Sequence, residues 1–277
     1  MQSWANKKLT PDIIKLCNTH RTCNPLYQYE FYDDRMCRQF LREHFHPYIL
    51  RAYDAIIPGA FKADLFRYCE LYKNGGWWFD IDILSVGSID AAIGPEVEFA
   101  CPQDSAELFE GRAQYALYQA VLGCKPGHPI LEVTIRKIVD RVSQAWEEWA
   151  GSAGHEYFSL TGPVLLGSAA HTYLAKEGES AYSPGSKRKG TVEIGRSTVG
   201  TGLLSISGRP IAVGHSQTGT ERGKWQRMIH AAYAHLKWKS IGYIGKRGGT
   251  NASYHQHNSL MRRAKQKGGL GAWNLCR

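Results

Sequence analysis

Two aspartates one residue apart, Asp80 and Asp82, stand at the end of a run of apolar and aromatic residues. In an extended strand this spacing places both side chains on one face, where the carboxylates repel each other and lose solvation. A divalent cation bound through hard oxygen ligands would compensate for both costs. The pair predicts a metal site at the C-terminal end of a strand, where open α/β sheets bind ligands. The alternative is two exposed acids that bind nothing.

A second charged pair, Asp64 and Arg67, lies on a predicted helix just before the aspartates. The helix covers residues 62–73, and Asn74-Gly75-Gly76 provides its stop because glycine accepts the left-handed cap conformation. A β-rich run, Trp77–Leu84, follows. Because residues three apart share a helix face, the turn directs both charges toward the strand. The alternative is a surface salt bridge of little energetic value.

The rest of the chain alternates helical and extended patterns. Its composition, 43% hydrophobic and 21% charged, excludes a disordered chain. The alternation predicts one α/β domain over residues 1–225, followed by a basic extension at 226–277. The other predicted elements are helices at Pro11–Cys17, at Arg35–Phe45 and from Pro129 onward, and a strand at Tyr27–Tyr32; short apolar runs also occur at Gly202–Ile206 and Pro210–Val213.

Positive charge is concentrated at the C-terminal end. Residues 223–277 carry 11 of the Lys and Arg residues and no Asp or Glu, so the rest of the chain has a formal charge of −2 out of the total of +9. Such a segment indicates an anionic partner, namely nucleotide phosphates, an acidic acceptor, a membrane surface or nucleic acid. The alternative is a solvated tail. We expect the apolar residues of its first part to pack on the domain and the final residues to be mobile.

The sequence predicts a cytoplasmic protein. MQSWANKKLT lacks the apolar core of a signal peptide, and no run of 18 apolar residues is present. The seven cysteines are scattered without a CxxC pair, which favours free thiols and argues against a zinc site.

The string ADLFRYCELYKNGGWWFDID resembles the signature of the DxD-containing glycosyltransferases of family 32. This family includes the yeast initiating mannosyltransferase and the inositol-phosphoceramide mannosyltransferases. Weaker similarity extends from residue 2 to about residue 225, through Gln2-Ser3-Trp4, Asn24-Pro25-Leu26-Tyr27, Tyr118-Gln119, Thr161-Gly162-Pro163 and His215. The signature pattern ADxxRYxxLYxxGGxYxDxD is met at Ala63, Asp64, Arg67, Tyr68, Leu71, Tyr72, Gly75, Gly76, Asp80 and Asp82.

The resemblance implies a single GT-A type α/β domain with a Rossmann-like sheet that binds a nucleotide sugar. It implies a UDP- or GDP-sugar donor, Mn²⁺ or Mg²⁺ as cofactor, transfer with retained anomeric configuration, and a glycan, glycolipid or glycoprotein acceptor. Asp82 would bind the metal directly, Asp80 would hold metal and ribose, and His215 would contact the metal or the diphosphate. An ordinary structural role is the alternative for His215.

The same resemblance assigns the substrate-binding residues. Asp64 and Arg67 would bind hydroxyls of the donor sugar and, with Asp80 and Asp82, form the catalytic set. The other assigned residues are Trp4, which would stack on the base or else be a core residue, Tyr68, Asp80, and Lys224 and Trp225 at the leaving phosphate. Three residues depart from the family pattern: Trp78 replaces a usual tyrosine, Gln119 a common asparagine, and Lys224 a serine.

Two other functions compete with this interpretation. A phosphohydrolase of the haloacid-dehalogenase type also uses a DxD after an apolar strand, but its motif lies near the N-terminus and leaves Asp64, Arg67 and the glycine pair unexplained. A nucleic-acid-binding protein would use the basic segment, whose aromatic residues are sparse and which contains no recognised binding module.

Overall fold

The computed structural model describes residues 1–6, 8–104, 115–143, 157–176, 187–189, 192–198, 203–214 and 274–276. The helices of this described part are α1 (Pro11–Cys23), α2 (Asp34–His44), α3 (Pro47–Ala55), α4 (Gly59–Asn74), α5 (Ile89–Ala92), α6 (Pro129–Ser143), α7 (Tyr157–Leu160) and α8 (Pro163–Lys176). Its strands are β1 (Gln2–Trp4), β2 (Phe31–Asp33), β3 (Gly76–Phe79), β4 (Leu84–Ser85), β5 (Phe99–Gln103), β6 (Val121–Cys124), β7 (Lys187–Lys189), β8 (Val192–Thr198), β9 (Leu203–Ile206) and β10 (Arg209–Val213).

Most of these strands form one mixed sheet with the order β3-β6-β5-β8-β9-β10-β4, and β7 pairs with β8. Its neighbours are antiparallel except for β5 and β8, which are parallel. Strands β3 and β4 stand at opposite ends of this order, yet only residues 80–83 join them. The sheet must therefore curl until its two end strands lie close together. The predicted α/β class is confirmed.

A small parallel sheet of β1 and β2 attaches to β3. Gln2 is paired with Phe31, and the carbonyl of Met1 accepts a hydrogen bond from the Phe79 amide at 3.1 Å. The first residues of the chain are therefore held against the end of β3. The strand predicted from Tyr27 begins only at Phe31.

Apolar side chains form two cores on opposite faces of β3. Trp78 lies in the core built mainly by α2, α3, α4, α6 and α8, which includes Phe66 and Ile135. Phe79 lies in the other core with residues of β9 and β10, such as Leu204. Successive strand residues point to opposite faces, so these two neighbours necessarily enter different cores.

The turn between α4 and β3 requires glycine for two reasons. Gly75 has φ +70°, and its amide caps α4 by donating to the carbonyl of Leu71 at 2.8 Å. A Cβ on Gly75 would lie 2.5 Å from Cδ of Pro126, which is too close for any side chain. The predicted helix–turn–strand unit is confirmed, with α4 longer at both ends than expected.

The strand predicted over Trp77–Leu84 is wrong in its extent. Strand β3 ends at Phe79, and the amide of Ile83 donates to the carbonyl of Asp80 at 3.1 Å, which makes residues 80–83 a turn. The curl of the sheet explains the break, because the chain must pass from one end strand to the other. The two aspartates follow the C-terminal end of a strand as predicted, but they lie in this turn, hereafter the DxD turn, rather than on a strand face.

The last described residues pack on the domain, so the expectation that they are mobile is wrong. The carbonyl of Leu275 accepts a hydrogen bond from the His46 amide at 2.9 Å, and Cys276 forms a β-bridge with Phe45. Leu275 is 1% exposed, and burial of this apolar side chain explains the attachment. Most of the basic segment lies outside the described residues.

All seven cysteines fall within the described residues and are free thiols, as expected. Among the helices of this described part, none combines the length and the apolar character needed to cross a membrane.

Candidate active site

The DxD turn is held by backbone and side-chain hydrogen bonds from two neighbouring strands. The amide of Asp80 donates to the carbonyl of Ala120, which immediately precedes β6, at 2.8 Å. The carbonyl of Asp80 accepts from Nε2 of Gln2 at 3.0 Å, and Oε1 of Gln2 in turn accepts from the hydroxyl of Tyr29 at 2.7 Å. The turn that carries the two acids is therefore fixed before any ligand arrives.

The carboxylate of Asp80 is oriented by two buried donors. Nη2 of Arg67 and Nε1 of Trp78 each lie 2.9 Å from its Oδ1. The sequence marks Trp78 only as a replacement for tyrosine and does not predict this contact. The signal was present, since Trp78 stands two residues before Asp80 and thus shares its face where the chain is extended.

Asp64 is buried and surrounded by donors. Its Oδ1 accepts from Nε2 of Gln119 at 2.8 Å and lies 3.3 Å from Nη2 of Arg67, and its Oδ2 accepts from Oγ1 of Thr161 at 2.7 Å. Burial raises the pKa of Asp64 to about 6, although Arg67 and the hydrogen bonds partly oppose that shift. The predicted pair of Asp64 and Arg67 exists, but it is a buried ion pair rather than a surface salt bridge.

Arg67 connects the two acidic positions. Its guanidinium contacts Asp64 and Asp80, donates from Nη1 to the carbonyl of Gln119 at 2.7 Å, and lies 5.5 Å from the ring centre of Trp78. Burial acts to lower the pKa of Arg67, but the charges of Asp80 and Asp64 outweigh it and leave the pKa above its ordinary value. The guanidinium is therefore a permanent cation between two carboxylates.

Gln119 and Thr161 were not predicted as site residues. Both contact side chains of α4, the helix that carries the signature residues Asp64 and Tyr68. The fully buried hydroxyl of Tyr68 has two acceptors within reach of its single proton, the carbonyl of Thr161 at 3.0 Å and the side-chain oxygen of Gln119. Both residues belong to short segments, Tyr118-Gln119 and Thr161-Gly162-Pro163, in which the sequence resembles family 32. The substrate-binding role assigned to Tyr68 stays a prediction.

The donor set of the DxD turn fits a divalent cation. Asp82 is buried and Asp80 is partly exposed, and both side chains offer the hard carboxylate oxygens that such a cation prefers. Within the described ranges, no three His, Cys, Asp or Glu side chains cluster into a complete metal site. His215, the third expected ligand, lies outside those ranges. Strand β10 nevertheless leads toward the turn, because Val213 is paired with Leu84, directly after the turn.

Of the remaining predicted site residues, the structure describes only Trp4. Trp4 lies half-buried at the end of β1, paired with Asp33, two residues after the Gln2 side chain that binds the DxD turn. Lys224 and Trp225 lie outside the described residues. The structure thus brings together Asp64, Arg67, Tyr68 and Asp80 and sets Trp4 on the adjoining strand.

Residues 10–100 match the protein family described as a glycosyltransferase sugar-binding region containing a DXD motif. The chain is 24% identical over 202 residues to an initiation-specific alpha-1,6-mannosyltransferase of Candida albicans, over 62% of this chain and 52% of that protein. It is 26% identical over 158 residues to the putative glycosyltransferase HOC1 of Saccharomyces cerevisiae, over 52% of this chain and 39% of that protein. The chain therefore spans about half the length of the first relative and less of the second.

Among solved structures, the chain is similar to the PaToxG glycosyltransferase. The TM-score is 0.49 at 16% identity, over 63% of this chain and 67% of that structure.

Proposed function

We propose that this chain is a DXD-containing glycosyltransferase, which transfers a sugar from a nucleotide-sugar donor to a glycan, lipid or protein acceptor with the help of Mn²⁺ or Mg²⁺. The observation that carries the proposal is the contact of one guanidinium, that of Arg67, with both Asp64 and Asp80. This contact joins α4, which carries the signature residues Asp64 and Arg67, to the DxD turn through one network of ion pairs. Neither the phosphohydrolase nor the nucleic-acid interpretation accounts for this network.

Asp82 and Asp80 would hold the metal ion, and His215 is our candidate for a further ligand. The pairing of Val213 of β10 with Leu84 supports that choice, because His215 follows Val213 by two residues in the sequence. When bound, the cation would act as a Lewis acid that offsets the charge developing on the diphosphate leaving group. The buried donors on Asp80 keep its carboxylate in place for that role.

Asp64 and Arg67 would recognise hydroxyl groups of the donor sugar. A carboxylate accepts and a guanidinium donates, so the pair offers both kinds of hydrogen bond to a polyol. Because both side chains are held by Gln119, binding would not require them to be ordered first. Correct placement of the sugar carbon, rather than affinity, is the expected benefit.

The remaining donor contacts are proposals from the family resemblance. Trp4 would stack on the nucleotide base, which its position on β1 beside the DxD turn favours. Lys224 and Trp225 would contact the leaving phosphate, where a cation suits a dianion. No carboxylate outside the signature is assigned as a nucleophile, which favours a front-face retaining reaction.

The basic segment is our candidate contact for an acidic or membrane-bound acceptor. It contains eleven Lys and Arg residues and no Asp or Glu, and an anionic surface would compensate these charges. Because Leu275 is anchored in the core, the segment is best tested by replacing Lys237, Lys239, Lys246 and Arg247 with glutamine rather than by truncation.

The experiment is a thermal-shift screen of UDP- and GDP-sugars with and without Mn²⁺, followed by assay of nucleoside diphosphate release. Ligands that bind the native state raise the melting temperature by mass action. We expect one donor to raise it only with metal present. Asp90→Asn, which changes an acid outside the site, is the matched control. If no nucleotide sugar shifts the melting temperature with Mn²⁺ present, the proposal fails.

A further inference from the structure

The DxD turn has a third support, from a helix that lies outside the signature. The carbonyl of Ile83, the last residue of the turn, lies 3.0 Å from Nε2 of His20 on α1. A carbonyl can only accept, so Nε2 carries the proton in this hydrogen bond. His20 is 7% exposed, and its ring lies 4.5 Å from the ring of Phe79, the residue that ends β3. The imidazole thus touches the chain on both sides of the two acids.

The imidazole of His20 is neutral near physiological pH. Burial lowers the pKa of His20 to about 4, and the hydrogen bond to Ile83 only partly opposes this shift. Among the described residues, Nδ1 of His20 has no hydrogen-bond partner. A neutral ring protonated on Nε2 satisfies both observations.

Helix α1 holds the chain after the turn at further points. Oγ1 of Thr19 accepts from the Ser85 amide at 3.0 Å, and Oδ1 of Asn24 accepts from the Ile89 amide at 2.8 Å. These contacts fix the exit of the turn on the C-terminal half of α1 and on Asn24, the residue that caps it. Of these three contacts, that of His20 reaches the turn itself.

We propose that His20 is a positioning residue for the metal-binding turn, which it holds through the carbonyl of Ile83. This inference rests on the proposed function, since it concerns the geometry in which Asp80 and Asp82 meet a divalent cation. Without the Nε2 donor, the buried carbonyl would lose its partner and the turn would sample other conformations. Metal binding would then have to order the turn first, which lowers apparent affinity in proportion to the competent fraction.

Three substitutions separate the hydrogen bond from packing. His20→Gln places an amide N–H near the position of Nε2, His20→Asn places it nearer that of Nδ1, and His20→Leu keeps volume without a donor. Leu16→Ala is the matched control, because it removes buried volume from the same helix at a side chain that cannot hydrogen-bond Ile83. Circular dichroism confirms that each variant is folded.

The first readout is hydrogen exchange of the Ile83 amide, which donates to Asp80 inside the turn. It needs neither metal nor activity. Exchange should be about tenfold faster in His20→Leu and His20→Asn, since loss of a buried hydrogen bond changes an opening equilibrium by about that factor. It should stay within about twofold of wild type in His20→Gln and Leu16→Ala.

The second readout is the Mn²⁺ concentration that gives half of the maximal thermal shift. It should rise about tenfold in His20→Leu and His20→Asn and be restored in His20→Gln, because metal binding must order the loosened turn. Unchanged exchange in His20→Leu, or equal impairment of His20→Gln and His20→Leu, overturns the positioning role. If wild type binds no Mn²⁺, the proposed function fails, and the exchange comparison still decides whether His20 holds the turn.

Discussion

Nε1 of Trp78 donates a hydrogen bond to Oδ1 of Asp80 at 2.9 Å, from a side chain that is 1% exposed. Arg67 reaches the same oxygen at the same distance. One carboxylate oxygen of the DxD turn is therefore committed to the protein interior by two donors. Asp80 is a preorganised group, and its orientation depends on residues that the acidic motif itself does not contain.

Trp78→Phe keeps an aromatic ring in the core but removes the donor to Asp80. Hydrogen bonds to charged groups contribute about 1.5–3 kcal/mol, so we expect the Mn²⁺ concentration for half-maximal activity to rise about tenfold. Trp77→Phe, on the opposite face of β3, should leave the Mn²⁺ concentration for half-maximal activity unchanged. Metal titrations of nucleoside diphosphate release measure both. Equal constants for wild type and Trp78→Phe would show that Arg67 alone orients Asp80.

Arg67→Met should destabilise the fold by about 3–5 kcal/mol, because it leaves the buried carboxylate of Asp64 and the partly exposed carboxylate of Asp80 without their cation. Combining it with Asp64→Asn removes one of those charges, so the double variant should lose at least about 1 kcal/mol less than the sum of the single losses. Urea unfolding of wild type, the two single variants and the double variant measures this double-mutant cycle. The exposed pair Arg38–Asp54, whose charged atoms lie 2.8 Å apart, is the control and should couple by less than about 1 kcal/mol. Additive losses at Arg67 and Asp64 would contradict the buried network.

Asp64 should make stability fall as pH rises from about 4 to 6. Its pKa is raised in the folded state, so the folded protein binds the proton more tightly than the unfolded chain, and ionisation costs folding free energy. Asp64→Asn abolishes this cost. Between pH 4.5 and pH 7.5, its unfolding free energy should improve relative to wild type by about 2 kcal/mol. Urea unfolding at the two pH values tests this. If the difference in unfolding free energy between Asp64→Asn and wild type is the same at both, the pKa of Asp64 is not raised in the folded protein.

Leu275→Ala should lower the free energy of unfolding by about 2–4 kcal/mol, because the side chain is fully buried near the end of the chain. The exposed residue Leu26 offers the matched control, and Leu26→Ala should change stability by less than about 0.5 kcal/mol. Urea unfolding measures both variants. A negligible effect at Leu275 would mean that the terminal residues do not stay docked in solution.

The sequence predicted those features that depend on local chemistry. The stop at Gly75 and the strand after it follow from glycine conformation and aromatic content, and the signature brought Asp64, Arg67 and Asp80 together as expected. Strands β9 and β10 also coincide with the two short apolar runs at 202–206 and 210–213.

The features that the sequence did not predict depend on long-range packing. The break after Phe79 follows from the closure of the curled sheet between β3 and β4, which periodicity cannot reveal. The contacts of Gln119 and Thr161 with Asp64 join positions 55 and 97 residues apart. His20, which contacts Ile83 from 63 residues away, carried no pattern that set it apart from ten other histidines. Leu275 stood in a stretch whose glycines favoured mobility.

The most direct measurement is release of nucleoside diphosphate from the donor identified in the screen, by wild type and by Asp82→Asn, with Mn²⁺ and with EDTA. The substitution keeps the side-chain volume and removes one formal charge from the proposed metal site. We predict turnover by wild type only with Mn²⁺, and a loss of at least about 100-fold in Asp82→Asn that excess Mn²⁺ does not fully restore, with unchanged circular dichroism. Normal turnover by the EDTA-treated wild type, or by Asp82→Asn, would contradict metal-dependent donor activation at the DxD turn.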